Sequence, residues 1–296
     1  MIDICEVGPR DGLQNEKKLL SAEAKVELIT KLIDAGITYI EVTSFVNPKV
    51  IPQMADAEDV LMLLPKKENV RYAGLILSRS GLERALRTDI NYLHTAVMAS
   101  DTFNFRNAKR TTDENVRELE KIIQDSIQAN IDVTAVIGTA FGCPFEGKVP
   151  LLRVLKISEK LLHAGCSEII LADTTGMANP RQVQNTVRTF YDIFGKSVKL
   201  GLHFHNTRGL GLANILAGYQ AGVTRFDSSI AGLGGCPFAP KAVGNVCTED
   251  MVNMFHSMDI QTNTNLEKLI DSAKWIERQM NRTLNGMLMK SGIAKY

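Results

Sequence analysis

The chain has 296 residues, 45% of them apolar and 23% charged, with a formal net charge of +1, a balance that argues against nucleic acid or an anionic membrane as partner. No apolar run approaches the ~20 residues needed to cross a bilayer, and "MIDICEVGPRDG" leads straight into a strand pattern, which leaves no room for a signal or transit peptide. The cysteines, Cys5, Cys143, Cys166, Cys236 and Cys247, form no close pair, so reduced thiols in the cytoplasm are expected.

Short β-branched or apolar runs alternate with longer amphipathic stretches from end to end. In chain order, strands are predicted over 2–8, 39–45, 70–77, 92–100, 131–142, 168–176, 199–206 and 225–235. After the first, Ser21 can cap a helix whose apolar stripe is Val26, Ile29 and Ile33, with Gly36 at its stop. The stretch "TTDENVRELEKIIQDSIQAN" places Val116, Leu119, Ile123 and Ile127 on one side of a second helix. A third starts with Asn179 as cap and Pro180 at the first helical position, where the missing N–H costs nothing. Beyond the last strand, "NTNLEKLIDSAKWIERQMNRTLNG" reads as one or two helices packed outside.

Eight strand–helix units of roughly 30 residues each predict an α/β fold, a (β/α)8 TIM barrel with extra C-terminal helices. An open doubly wound sheet uses the same alternation. Closure is favoured because polar residues recur near strand C-terminal ends: Glu41, Thr43, Asp173, His203, His205, Asp227 and Ser229. A barrel gathers those ends around one mouth. No linker divides the chain, so a single domain over 1–296 is expected, the barrel to about 260 and the C-terminal helices over about 261–296.

The segment "LHFHN" carries the chemistry. His203 and His205 share one strand face, so both rings converge, while Leu202 and Phe204 face the other way. Two core histidines bonded to backbone are the bland alternative. A metal there needs ligands from other strand ends. Asp11 stands just past the first strand beside Arg10, and Asn245 lies beyond the eighth. Asp, two His and Asn form a mixed set suited to Mg²⁺ or Mn²⁺, and Zn²⁺ offers less reason for the amide. Glu41, facing inward, must be paired, and a water on the metal is one partner.

Five stretches, "EVGPRDGLQNE", "IEVTSFVNPKVIPQM", "GCPFEGK", the His-x-His strand and "AGLGGCPFAPKAVGNVCTED", make the chain resemble the 3-hydroxy-3-methylglutaryl-CoA lyases, part of a wider group of metal-dependent aldol lyases and Claisen-type synthases. The resemblance runs over essentially the whole chain. It implies Asp11, His203, His205 and Asn245 as metal ligands, Glu41 as organiser of the metal site and Asp173 as a residue lining it. It also implies Arg10 as the electrophile and Cys236 as a thiol on a loop that closes over substrate. Cys143 is read as structural. The implied reaction cleaves a 3-hydroxyacyl-CoA to acetyl-CoA and a keto acid such as acetoacetate. Lys17, Arg106, Asn107 and Lys109 are candidate contacts to the coenzyme A of that substrate.

After His205 the chain reads Asn206-Thr207-Arg208-Gly209-Leu210, where these lyases have Asp-Thr-Tyr-Gly-Gln. That change moves local charge by about two units toward positive. Arg208 is therefore expected either to pair with a substrate carboxylate or to anchor a different acyl chain, and Lys241 adds another positive charge. A synthase or aldolase on the same scaffold and a non-catalytic barrel are the rivals. The outer C-terminal helices could pair two copies into a homodimer.

Overall fold

The computed structural model describes residues 1–235 and 244–294. Eight strands, β1 (Asp3–Glu6), β2 (Tyr39–Ser44), β3 (Arg71–Ile76), β4 (Tyr92–Met98), β5 (Asp132–Gly138), β6 (Glu168–Asp173), β7 (Lys199–Phe204) and β8 (Arg225–Ser228), pair in parallel in sequence order. β1 also pairs β8, so the sheet closes, as predicted, and the open sheet is excluded. Each predicted strand is present but ends earlier, and the surplus residues form the turns of the mouth. Parallel strands buried on both faces explain why the runs read as apolar rather than alternating.

Around the barrel lie α1 (Ala22–Asp34), α2 (Ala57–Leu63), α3 (Arg79–Ala85), α4 (Asp101–Ala108), α5 (Thr112–Gln128), α6 (Leu151–His163), α7 (Pro180–Phe194), α8 (Gly211–Gln220) and α9 (Thr248–His256). Two more, α10 (Leu266–Met280) and the short α11 (Leu288–Ser291), follow at the C-terminal end. The Ser21 hydroxyl accepts from the Ala24 N–H, and Gly36 follows α1 at φ +94°, a conformation glycine adopts without strain. Asn179 accepts from the Gln182 N–H at 3.0 Å. Thr111 and Glu114 form a reciprocal capping box at α5.

Two predicted stripes are corrected. On α1 the buried face is Leu28, Ile29 and Leu32, with Val26 and Ile33 on its flanks. On α5, Ile122 is buried and Ile127 is 41% exposed. In both helices adjacent apolar residues let the face rotate by about 100° without changing the pattern.

Between strands and helices sits a continuous apolar layer that includes Leu202 and Phe226, both fully buried. Truncating either to Ala would cost about 2–5 kcal/mol. Inside the barrel the floor is polar. Arg225 is buried, 4.9 Å from the centre of the Tyr39 ring, with Nη1 donating to Asp227 at 2.8 Å and Nε 3.5 Å from Glu168.

Candidate active site

The first βα turn is a π-turn over Gly8–Gly12, which swings Arg10 and Asp11 back over the barrel mouth. Arg10 donates from Nε to Glu41 at 2.6 Å and from Nη1 to Asp11 at 2.8 Å, and its Nη2 lies 2.5 Å from Glu41. The same Asp11 oxygen accepts from Gln14 at 3.0 Å, and the other accepts from the Asn245 amide at 2.8 Å. Asn245 is set there because it bridges His205 in an antiparallel step, with Val246 N–H donating to the Phe204 carbonyl.

His203 and His205 end β7 with ring centres 5.2 Å apart. One donor atom each from Asp11, His203 and His205 lies within 4.8 Å of the others. His203 Nδ1 is 3.1 Å from Asp227, whose other oxygen is held by Arg225. Burial alone would raise the Asp227 carboxyl, but Arg225 and His203 hold it well below the usual range. An ionised Asp227 therefore keeps the proton on His203 Nδ1 and leaves Nε2 for a ligand. Burial pushes His203 down, yet the bond and charge of Asp227 outweigh it and the net direction is up. Burial, aided by His203, pushes His205 down to about 4, so that ring is neutral, as a ligand must be. For Asp11, Arg10 and the two histidines overcome burial and lower its carboxyl.

Among the described residues, His205 Nδ1 and Asn245 Oδ1 are buried without a hydrogen-bond partner. Two unpartnered acceptor-type atoms beside a carboxylate fit a cation. Asn245 meets Asp11 through its nitrogen here, and rotation of the amide would bring the free oxygen to the same place.

Glu41 is paired, as expected, with Arg10 and His94. His94 Nδ1 is 2.9 Å from Glu41, and its Nε2 is 2.7 Å from the Tyr39 hydroxyl. An ionised carboxylate only accepts, so His94 carries its proton on Nδ1 and Tyr39 donates to Nε2. Sequence reasoning missed His94. Its parity with Ala96 and Met98 on β4 was the available signal, and contact with β2 across the interior required the closed barrel.

Two of the predicted site residues are tied to the turn after β6. Asp173 accepts from the N–H groups of Met177 at 2.7 Å and Ala178 at 2.9 Å, and it does not line the cavity. Arg208 donates to the carbonyls of Thr175 at 2.9 Å and Gly176 at 2.8 Å. Both side chains brace that turn. Asn107 lines the cavity, whereas Lys17 and Arg106 do not, and Arg106 stacks 4.1 Å from the centre of the Phe145 ring. Cys143 is buried and accepts from Ser100, as a structural thiol. Cys236 and Lys241 lie outside the described residues.

The mouth is a cavity of about 360 Å³, and Arg10 is the one Arg or Lys among its described lining residues. A larger depression, about 790 Å³, opens between α2 and the starts of β3 and β4. Its cations, Lys66, Lys67, Arg71 and Arg87, are matched by Glu58, Asp59, Glu68 and Asp89. It lies at the barrel's opposite end, away from the strand ends that carry chemistry in barrels.

The HMGL-like family model matches residues 1–276. The hydroxymethylglutaryl-CoA lyase YngG of Bacillus subtilis is 45% identical over 283 residues, 96% of this chain and 94% of that protein. The (R)-citramalyl-CoA lyase of Chloroflexus aurantiacus is 40% identical, over 98% of this chain and 95% of its own. A crystal structure of an HMG-CoA lyase from Acinetobacter baumannii in complex with coenzyme A and 3-methylmalate is similar at TM-score 0.94 and 40% identity, over 99% and 95% of the two chains.

Proposed function

The chain belongs to the HMGL-like family, and from that premise we propose that it is a carbon–carbon lyase cleaving 3-hydroxy-3-methylglutaryl-CoA, or a closely related 3-hydroxyacyl-CoA, to acetyl-CoA and a keto acid such as acetoacetate. The observation that carries this reading is the meeting of Asp11, His203 and His205 beside a guanidinium pinned by two carboxylates. Mg²⁺ or Mn²⁺, ahead of Zn²⁺, would be held by those three and the Asn245 amide, and when bound it supplies Lewis acidity to the substrate's oxygens.

The chain's own residues do the rest. Arg10 keeps its charge at every working pH, and the water-poor mouth strengthens its pull on the enolate oxygen that develops as the C2–C3 bond breaks. Glu41 fixes the direction of that guanidinium, and His94 with Tyr39 fixes Glu41. As the C2–C3 bond breaks, the 3-hydroxyl proton passes to a base, and the two candidates are positioned by their neighbours, His203 by Asp227 and Asp173 by the N–H groups of its turn. Cys236 is the proposed donor of the proton that converts the thioester enolate carbon to the methyl of acetyl-CoA. That a relative of the same fold binds coenzyme A supports an acyl-CoA substrate, with Asn107 at the rim as a contact.

The reading takes the whole chain as one catalytic domain. No described helix is long and apolar enough to cross a membrane, and the described cysteines are free and buried, which supports a reducing cytoplasm as its setting. A homodimer built on the outer C-terminal helices belongs to the same reading, with light scattering as its check.

Release of acetyl-CoA is the direct test. Chelated protein should be inactive on 3-hydroxy-3-methylglutaryl-CoA and citramalyl-CoA and should recover with Mn²⁺ or Mg²⁺. Failure on both thioesters with metal bound would remove the lyase reading. Near-wild-type turnover by Cys236→Ala would remove the thiol's role.

A further inference from the structure

The mouth has a side that the reaction's polar groups leave unused. β7, β8, β1 and β2 supply the ligands and Arg10, whereas β3 to β6, apart from His94 on β4 and Ser78 and Thr174 just past the ends of β3 and β6, present Leu75, Ala96, Met98, Val136, Gly138 and Ala172 to the same cavity. The wall is small at its centre. A Cβ built on Gly138 would stand 2.3 Å from the Met98 sulfur, so the thioether lies in space that any larger residue would take. Methionine is unbranched and adapts its shape to what it packs against.

A tertiary 3-hydroxyacyl thioester has four groups on its carbinol carbon. The hydroxyl and thioester arms need the polar half. A carboxylate arm turned toward Leu75, Ala96, Met98, Val136 and Ala172 would meet no Arg or Lys among the described lining residues, since Arg10, the one such cation there, faces Glu41 and Asp11. The alkyl group is the one substituent for which that wall is a better environment than water. We propose that the wall is an alkyl-binding subsite and that the chain accepts 3-hydroxyacyl-CoA substrates whose 3-alkyl branch is longer than methyl. Met98 over Gly138 sets its depth. This inference rests on the lyase reading and deepens it.

The experiment compares kcat/KM for 3-hydroxy-3-methylglutaryl-CoA with its 3-ethyl and 3-propyl homologues, in the metal-loaded wild type and in two variants. Each additional buried methylene should hold kcat/KM level or raise it by up to about fourfold. Gly138→Ala displaces the Met98 sulfur and should lower the propyl-to-methyl ratio at least about tenfold, while Met98→Ala deepens the subsite and should raise that ratio. A wild-type propyl-to-methyl ratio below about one tenth, the penalty expected of a closed pocket, overturns the subsite. So do ratios that ignore both substitutions. Absence of acetyl-CoA from every thioester overturns the lyase reading itself and is distinguishable because no ratio then exists.

Discussion

The two halves of the barrel mouth are built on opposite principles. Around β7, β8, β1 and β2, joined by His94 of β4, most of the functional side chains are held by another polar group, in two chains that run down to the floor. Arg225 holds Asp227, which holds His203, and Tyr39 holds His94, which holds Glu41 and through it Arg10. Buried polar groups are costly unless satisfied, so a network of this kind admits few alternative geometries. The half formed by β3 to β6, His94 aside, meets the cavity mainly with hydrocarbon and a thioether, which pack without direction, and has Ser78 and Thr174 at its rim. The contrast assigns bond breaking to the rigid half and choice of acyl branch to the adjustable one.

The rigid half is broken most severely at Arg10. Arg10→Lys keeps a charge but not the fork that meets Glu41 and Asp11 together, and kcat should fall about 10²–10³-fold with a smaller change in KM. A loss under threefold would show that charge alone suffices. Asp227→Asn should weaken Mn²⁺ binding about 10–100-fold by titration calorimetry, because His203 loses the group that orients it. Unchanged affinity would detach the floor from the site.

Arg208 sharpens the comparison by belonging to neither half. Arg208→Ala should cost about 1 kcal/mol in denaturant unfolding, from its bonds to the Thr175 and Gly176 carbonyls, and should leave the ratio of kcat/KM values between thioesters as it was. A changed ratio would return Arg208 to substrate recognition.

The smallest effect is expected behind the mouth, where burial raises Glu249 to about 8 and Glu6 to about 7. Both folded values exceed the ordinary glutamate value of 4.5, so the folded state binds more protons than the unfolded one from about pH 4.5 to 8, and stability falls as pH rises through that window. Glu249→Gln should flatten that fall, gaining a few degrees of Tm at pH 8 relative to pH 5. A variant whose Tm keeps the wild-type pH slope contradicts the burial argument.

The order and number of strands were legible because apolar runs and helix caps are local signals, and Ser21 and Asn179 do cap helices. The His-x-His pair was legible through strand parity. Rotation of α1 was not, since Val26, Leu28, Ile29, Leu32 and Ile33 permit more than one face. The bonds that Asp173 and Arg208 make to the turn after β6 were hidden for a shared reason. A polar side chain just past a strand can serve a ligand or its own turn, and spacing along the chain is the same in both cases. His94 was hidden because its partners on β2 are neighbours only across the barrel interior.

Crystals of the protein grown with Mn²⁺ offer the most direct test of the central claim, through the anomalous difference density. The account predicts one strong peak within bonding distance of Asp11, His203 and His205. Density that places the ion elsewhere, or shows no ion between those three side chains at saturating Mn²⁺, would contradict it.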